Sequence, residues 1–346
     1  PTEYVMSYSS GIDNGDNNGD AGNHILEDGE IDHSASVCKA GITAITNSSG
    51  YIFDLNEFNG KFYFQHEGSA DQGRELWSSD FSGNMELVKD ISPGSYDSYV
   101  DILAVSDDLM FLNARVENEG YELWVSDGTE NGTKILKDIN PGSDSGFYGW
   151  NGFKFFKDKF YFNGNNETTG AELWVTDGTE NGTFLFKDIY SGSNSSNPNA
   201  FTIIGDLMYF GATSNDYGSE VWVTDGTVNG TQMLADINEG SNTSFSGGSE
   251  GGNVPSFFEF KGEVYFIASD ETHGRELWAT DGTANGTRMV KDINEGSDSS
   301  TYGCYSRNCL FEFQGKLWFT ADDGIHGREL WTTDGTQEGT YLFIDL

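Results

Sequence analysis

The segment IDNGDNNGDAGN (12–23) sets Asp13, Asp16, Asn18 and Asp20 among glycines. Oxygen donors on a Gly-rich turn suit Ca²⁺, but the spacing is not that of an EF-hand and no bidentate Glu follows at its twelfth position. The segment reads as a weak calcium site or as an acidic loop, and calcium is the only cofactor suggested. Three cysteines cannot all pair within one chain: Cys304 and Cys309 can close a small loop, Cys38 can reach one of them, or the thiols stay free. Eight sequons, at Asn47, Asn131, Asn166, Asn181, Asn194, Asn229, Asn242 and Asn285, are acceptors for N-glycans in a secreted eukaryotic protein and plain turns in a bacterial one. His273 and His326 precede the same Gly-Arg-Glu-Leu phrase, which points to loop geometry rather than catalysis. The chain has no zinc-type His pair, nucleophile elbow or phosphate loop. A non-enzymatic protein is expected; a buried pair of acids lining a channel would argue otherwise.

The elements that must carry these residues are written six times. Glu-Leu/Val-Trp begins at positions 75, 122, 172, 220, 276 and 329, in steps of 47, 50, 48, 56 and 53 residues. Periods near 40–50 residues belong to propeller blades or helical solenoids. The 45 Gly, 25 Phe and 16 Tyr favour strands and turns over helices. Residues 256–293 read as four short strands, A to D: SFFEFK, EVYFI, RELWAT and RMVKDI. A six-bladed all-β propeller of four-stranded antiparallel blades follows, with units at about 51–91, 92–139, 140–189, 190–237, 238–293 and 294–346. Seven blades is the alternative, with 1–50 contributing. Trp77, Trp124, Trp174, Trp222, Trp278 and Trp331 are the expected blade-packing residues. Asp127, Asp177, Asp225, Asp281 and Asp334, each before Gly-Thr, are expected to brace the C–D hairpins through carboxylate–backbone bonds.

Glu-Leu-Trp-x-x-Asp-Gly-Thr, intact at 122–129, 172–179, 276–283 and 329–336, resembles the ELWxxDGT repeat family of secreted or surface proteins. Unit four differs by Val221, and unit one breaks the phrase at Asp80-Phe81-Ser82. The resemblance covers 51–346 and implies a propeller-like β structure, extracellular location and no catalytic activity.

With 18 basic and 56 acidic residues the net charge is −38, which disfavours nucleic acid and anionic membrane as partners and attracts cations. No stretch of 18 apolar residues spans a membrane. No signal peptide is seen, and a start at Pro1 reads as a processed or partial product. Residues 1–50 form an acidic Gly/Asn-rich segment in which Glu3–Ser9 reads as a spare strand, a possible connector between subunits. The expected function is an extracellular structural or adhesive propeller that self-assembles into a filament or surface layer. The alternative is a secreted glycan- or calcium-dependent binding module on the face formed by the D–A and B–C loops, which vary most between units.

Overall fold

The structure, a computed structural model, describes residues 52–68, 72–147, 152–245, 255–301 and 310–345. These residues form six four-stranded antiparallel sheets and no helix. Each sheet follows chain order from strand A to strand D, so every blade is a simple meander. The blades span Ile52–Lys89, Asp101–Lys137, Phe153–Lys187, Asn199–Met233, Phe258–Lys291 and Phe311–Ile344. The protein is a six-bladed β-propeller. Strand A, looser in the sequence of units two to four, is present in all six blades. Strand D of blade 4 shrinks to Gln232–Met233.

Burial explains why the central strands lack polar alternation. Strand C of blade 3, Gly170–Thr176, is buried at every position, because a blade sandwiched between two others buries both faces. Along strand B of the same blade, Phe160 and Phe162 face blade 2 while Tyr161 faces blade 4. Five apolar clusters join consecutive blades. The first holds Tyr63, Leu76 and Val88 of blade 1 against Met110, Leu112 and Trp124 of blade 2, and the last packs Tyr265, Leu277 and Val290 of blade 5 on Leu317, Phe319 and Trp331 of blade 6. The junctions 2–3, 3–4 and 4–5 repeat the pattern.

Trp124, Trp174, Trp222 and Trp331 are buried within these junctions, and Trp278 packs half-buried at the edge of its own. Trp77, half-buried, belongs to none of the five clusters and meets His66 edge-on with centroids 5.5 Å apart.

Two devices tie one blade to the next. The lysine of the Lys-Asp-Ile phrase donates to a carbonyl in the following C–D turn: Lys137 to Thr183 at 2.8 Å, Lys187 to Thr231 at 2.6 Å and Lys291 to Thr340 at 2.8 Å. The aromatic of strand B meets the glycine of the next Asp-Gly-Thr. A Cβ on Gly128 would lie 2.3 Å from the Tyr63 hydroxyl oxygen, and one on Gly335 would lie 2.4 Å from that of Tyr265. Both glycines also have φ near +90 to +100° (86° and 100°), a conformation costly for other residues. The glycine of the repeated phrase therefore records the preceding blade's approach as well as the turn.

Candidate functional site

The repeated acids act within the scaffold. In blade 3, the Thr179 N–H and hydroxyl donate to Asp177 Oδ1 at 2.9 and 2.7 Å. The Gly182 N–H in turn donates to Thr179 Oγ1 at 2.9 Å, and the Thr183 hydroxyl donates to the Thr179 carbonyl at 2.7 Å. Asp127, Asp225, Asp281 and Asp334 take the same two bonds from their own threonines. The threonine hydroxyls hold all five carboxyls below the ordinary carboxylate range.

A second set of acids went unassigned in the sequence reading. The glutamate that opens each Glu-Leu-Trp phrase is buried in all six blades. Glu172 accepts from the Ile189 N–H at 2.6 Å, the Ser196 N–H at 2.9 Å and the Ser196 hydroxyl at 2.7 Å. Glu122 accepts from Ile139 and Gly146 at 3.0 and 2.8 Å, and Glu276 from Ile293 and Ser300 at 3.2 and 3.1 Å. Each of these glutamates pins the end of strand D and the far end of the loop that crosses to the next blade. Burial outweighs the bonds they accept, pushing Glu75 and Glu220 up to about 8 and Glu122 and Glu276 up to about 7. A signal was present: a carboxylate recurring six times inside an apolar strand needs buried donors.

The loop face of blade 2 carries a cleft of about 340 Å³, formed by the loop entering blade 2, its B–C turn and the loop leaving it. Its walls include Tyr96, Asp97, Arg115, Glu117, Tyr121 and Ser145. The Arg115 guanidinium stands 4.7 Å from the Tyr99 ring centroid and 5.9 Å from that of Tyr121, and its Nε donates to the Asp97 carbonyl at 3.2 Å. Arg74 covers Tyr99 at 5.6 Å and approaches Asp97 Oδ2 at 3.9 Å. Tyr99 has φ 44°, a left-handed backbone rare for a bulky residue. No carboxylate forms an ion pair with Arg115 among the described residues. The exposed Tyr96 donates its hydroxyl to Glu117, which raises the Tyr96 pKa. Burial raises that of Tyr121, with Arg115 opposing.

Beside this cleft the first strands of blades 1 and 2 bring two carboxyls together. Asp101 is pushed up to about 7, chiefly by desolvation and then by its bond to Asp54, while the Asn113 amide draws it down. Asp54 sits in a bulge at φ 52°. Asp54 is exposed and Asp101 half-buried, so this is not the buried acid pair that would argue for catalysis.

His273 and His326 bind Asp270 and Asp323 three residues earlier, Nδ1 to Oδ2 at 2.8 and 2.7 Å, as parts of their B–C turns. These aspartates raise both histidine pKa values. Asn131, Asn181, Asn229 and Asn285 are exposed on the C–D turns, and Asn194 and Asn242 on the loops between blades. Asn166 is half-buried, its side-chain oxygen taken by the Thr168 and Thr169 N–H groups at 2.9 and 2.8 Å. Asp13, Asp16, Asn18, Asp20, Asn47, Cys38, Cys304 and Cys309 lie outside the described residues. Among the described residues no group of three or more His, Cys, Asp or Glu is placed to hold a metal, and no helix is long and apolar enough to cross a membrane.

No protein-family model matches the chain, and no curated protein matches it. Solved structures similar to it include the computationally designed Ika8 protein, at 15% identity and a TM-score of 0.36, covering 88% of this chain and 89% of that one. A prolyl endopeptidase is similar at 10% identity and TM-score 0.40, covering 83% of this chain and 42% of that one. Oligopeptidase B from Leishmania major is similar at 10% and 0.40, covering 89% and 43%. The chain spans less than half the length of these peptidases, and likeness at this level bears on neither activity nor substrate.

Proposed function

We propose that the chain is an extracellular, non-enzymatic binding propeller that takes a glycan on the loop face of blade 2. The observation that carries this reading is the cleft itself. Sugars are bound by aromatic faces that cover their C–H surfaces and by planar polar groups that pair with adjacent hydroxyls. Tyr96 and Tyr121 supply the first, and Arg115, Asp97 and Glu117 the second. Arg115 is held by two aromatic rings and one carbonyl, so its remaining N–H donors are oriented before a ligand arrives. Extracellular location is supported by the ELWxxDGT resemblance and by exposed sequons on the C–D turns. Calcium at Asp13, Asp16, Asn18 and Asp20 rests on sequence alone.

The test is a glycan array probed with the full chain, followed by calorimetry on the strongest binder. Arg115→Gln and Tyr96→Ala are each expected to weaken binding at least tenfold while leaving thermal unfolding nearly unchanged. Failure to bind any glycan, or full retention by Arg115→Gln, refutes the reading.

Self-assembly is a second reading, favoured by a separate observation: the sixth blade ends in a sheet face of core character with nothing packed on it among the described residues.

A further inference from the structure

Six blades are joined by five apolar clusters, and none among the described residues unites blade 6 with blade 1. The face of blade 6 that points away from blade 5 matches, position by position, the faces by which blades 1 to 5 pack on their successors. Phe313 occupies the position of Phe260, yet it is 55% exposed against 1%. Phe343 occupies that of Val290 and is 53% exposed against 4%. Trp318 takes the place of Tyr161 and Tyr265, both essentially inaccessible, and is only half-buried. It stacks on Phe311 at 6.4 Å and meets Phe343 edge-on at 4.7 Å, so the face is a preformed aromatic layer. An uncovered patch of this kind marks an interaction surface.

Its chemistry indicates what fits. Both halves of the junction devices change together at the two ends of the chain. The lysine that reaches the next C–D turn in blades 1, 2, 3 and 5 is Ile344 in blade 6, 41% exposed. The turn glycine that receives the preceding aromatic in blades 2 to 6 is Phe81 in blade 1, 43% exposed and edge-on to Phe62 at 5.0 Å. A polar latch and a small receptor have become two apolar groups, at the positions that meet when one blade follows another. Each of the two is solvent-exposed, and no cluster among the described residues joins their blades.

We propose that the aromatic face of blade 6 docks on the edge of blade 1 formed by Phe62 and Phe81 in a second copy of this chain, giving a head-to-tail contact; Phe64 and His66, deeper on the same blade 1 face, are already buried. The two surfaces differ, so the contact is heterologous and propagates into a ring or a filament. Copies with a net charge of −38 repel one another, so added salt favours the contact by screening. The inference is independent of the glycan-binding reading, since it uses neither Arg115 nor Tyr96.

The test uses the full chain in light scattering over rising concentration, in 20 mM and in 500 mM salt, with the wild type beside Phe343→Asp. The wild type is expected to exceed the monomer mass at least twofold, more so at high salt, and Phe343→Asp, changed at an exposed position, to remain monomeric. Mixing Phe81→Cys protein with Ile344→Cys protein should then give an oxidised species of twice the chain mass that neither variant forms alone. A wild type that stays monomeric at every concentration overturns the proposal. So does oligomerisation unchanged by Phe343→Asp, which places the contact elsewhere. A disulfide formed within single chains of a Phe81→Cys/Ile344→Cys double variant also overturns it, because blade 6 then closes on its own blade 1. Pairing of Ile344→Cys with itself overturns it in favour of a back-to-back dimer.

Discussion

Replacing Glu172 by Gln tests whether the buried glutamates or the exposed aspartates hold the repeat together. The carboxylate takes three short bonds, from the Ile189 N–H, the Ser196 N–H and the Ser196 hydroxyl at 2.6, 2.9 and 2.7 Å. An amide preserves the shape but turns one acceptor oxygen into a donor facing donors. If the amide oxygen keeps Ile189 and the Ser196 hydroxyl, its NH₂ confronts the Ser196 N–H, and a buried donor is left unsatisfied. One lost charge-assisted bond together with that penalty amounts to about 2–4 kcal/mol. For a chain of this size the midpoint of thermal unfolding should fall by about 3–6 °C. Asp177→Ala removes two bonds, but from a solvent-exposed turn where water replaces them, and should cost about 1 kcal/mol. Calorimetry or urea titration of the two variants decides the matter. A cost below about 1 kcal/mol for Glu172→Gln, or one smaller than that of Asp177→Ala, would refute the assignment of the glutamate as the principal anchor between blades.

Gly335→Ala should destabilise by about 2 kcal/mol or more, through the clash with Tyr265 and the left-handed φ of 100°; Tyr265→Phe in the same chain should recover the first part only, as unfolding midpoints would show. The pH dependence is set by glutamates raised to about 7–8 in the fold, against an ordinary value of about 4.3 unfolded. Between those limits the folded chain binds more protons than the unfolded one, so stability is greatest below about pH 4–5 as far as these groups are concerned and falls as pH rises through 7–8. Unfolding midpoints measured at pH 5.5 and 8.5 should drop over that interval, and an unchanged midpoint would show that the carboxyls are ionised throughout.

Much of this protein was legible as a sequence because its repeat is written in local rules. Periodicity of Glu-Leu-Trp counts the blades, aromatic and β-branched runs between Gly and Asn mark the strands, and Asp before Gly-Thr announces a hairpin. Each depends on neighbours within a few residues, which is why even the degenerate first unit was recognisable. The role of the glutamates was harder to see, because their partners lie 17 and 24 residues further on, at Ile189 and Ser196 for Glu172. Nothing local says that a carboxylate in an apolar strand will be met by backbone donors. The cleft of blade 2 was likewise out of reach: the loop face was anticipated, but the stacking of Arg115 between Tyr99 and Tyr121 needs three segments to converge. The sequence determined a propeller of six repeated blades, since repetition and alternation are carried by each unit alone. Only the tertiary structure decided which copies of the repeat are equivalent. Phe313 and Phe260 have the same neighbours in sequence, Phe-Glu-Phe before a Gly turn, and opposite exposures. What differs is whether another blade stands in front, and burial is a property of that surrounding, not of the residue.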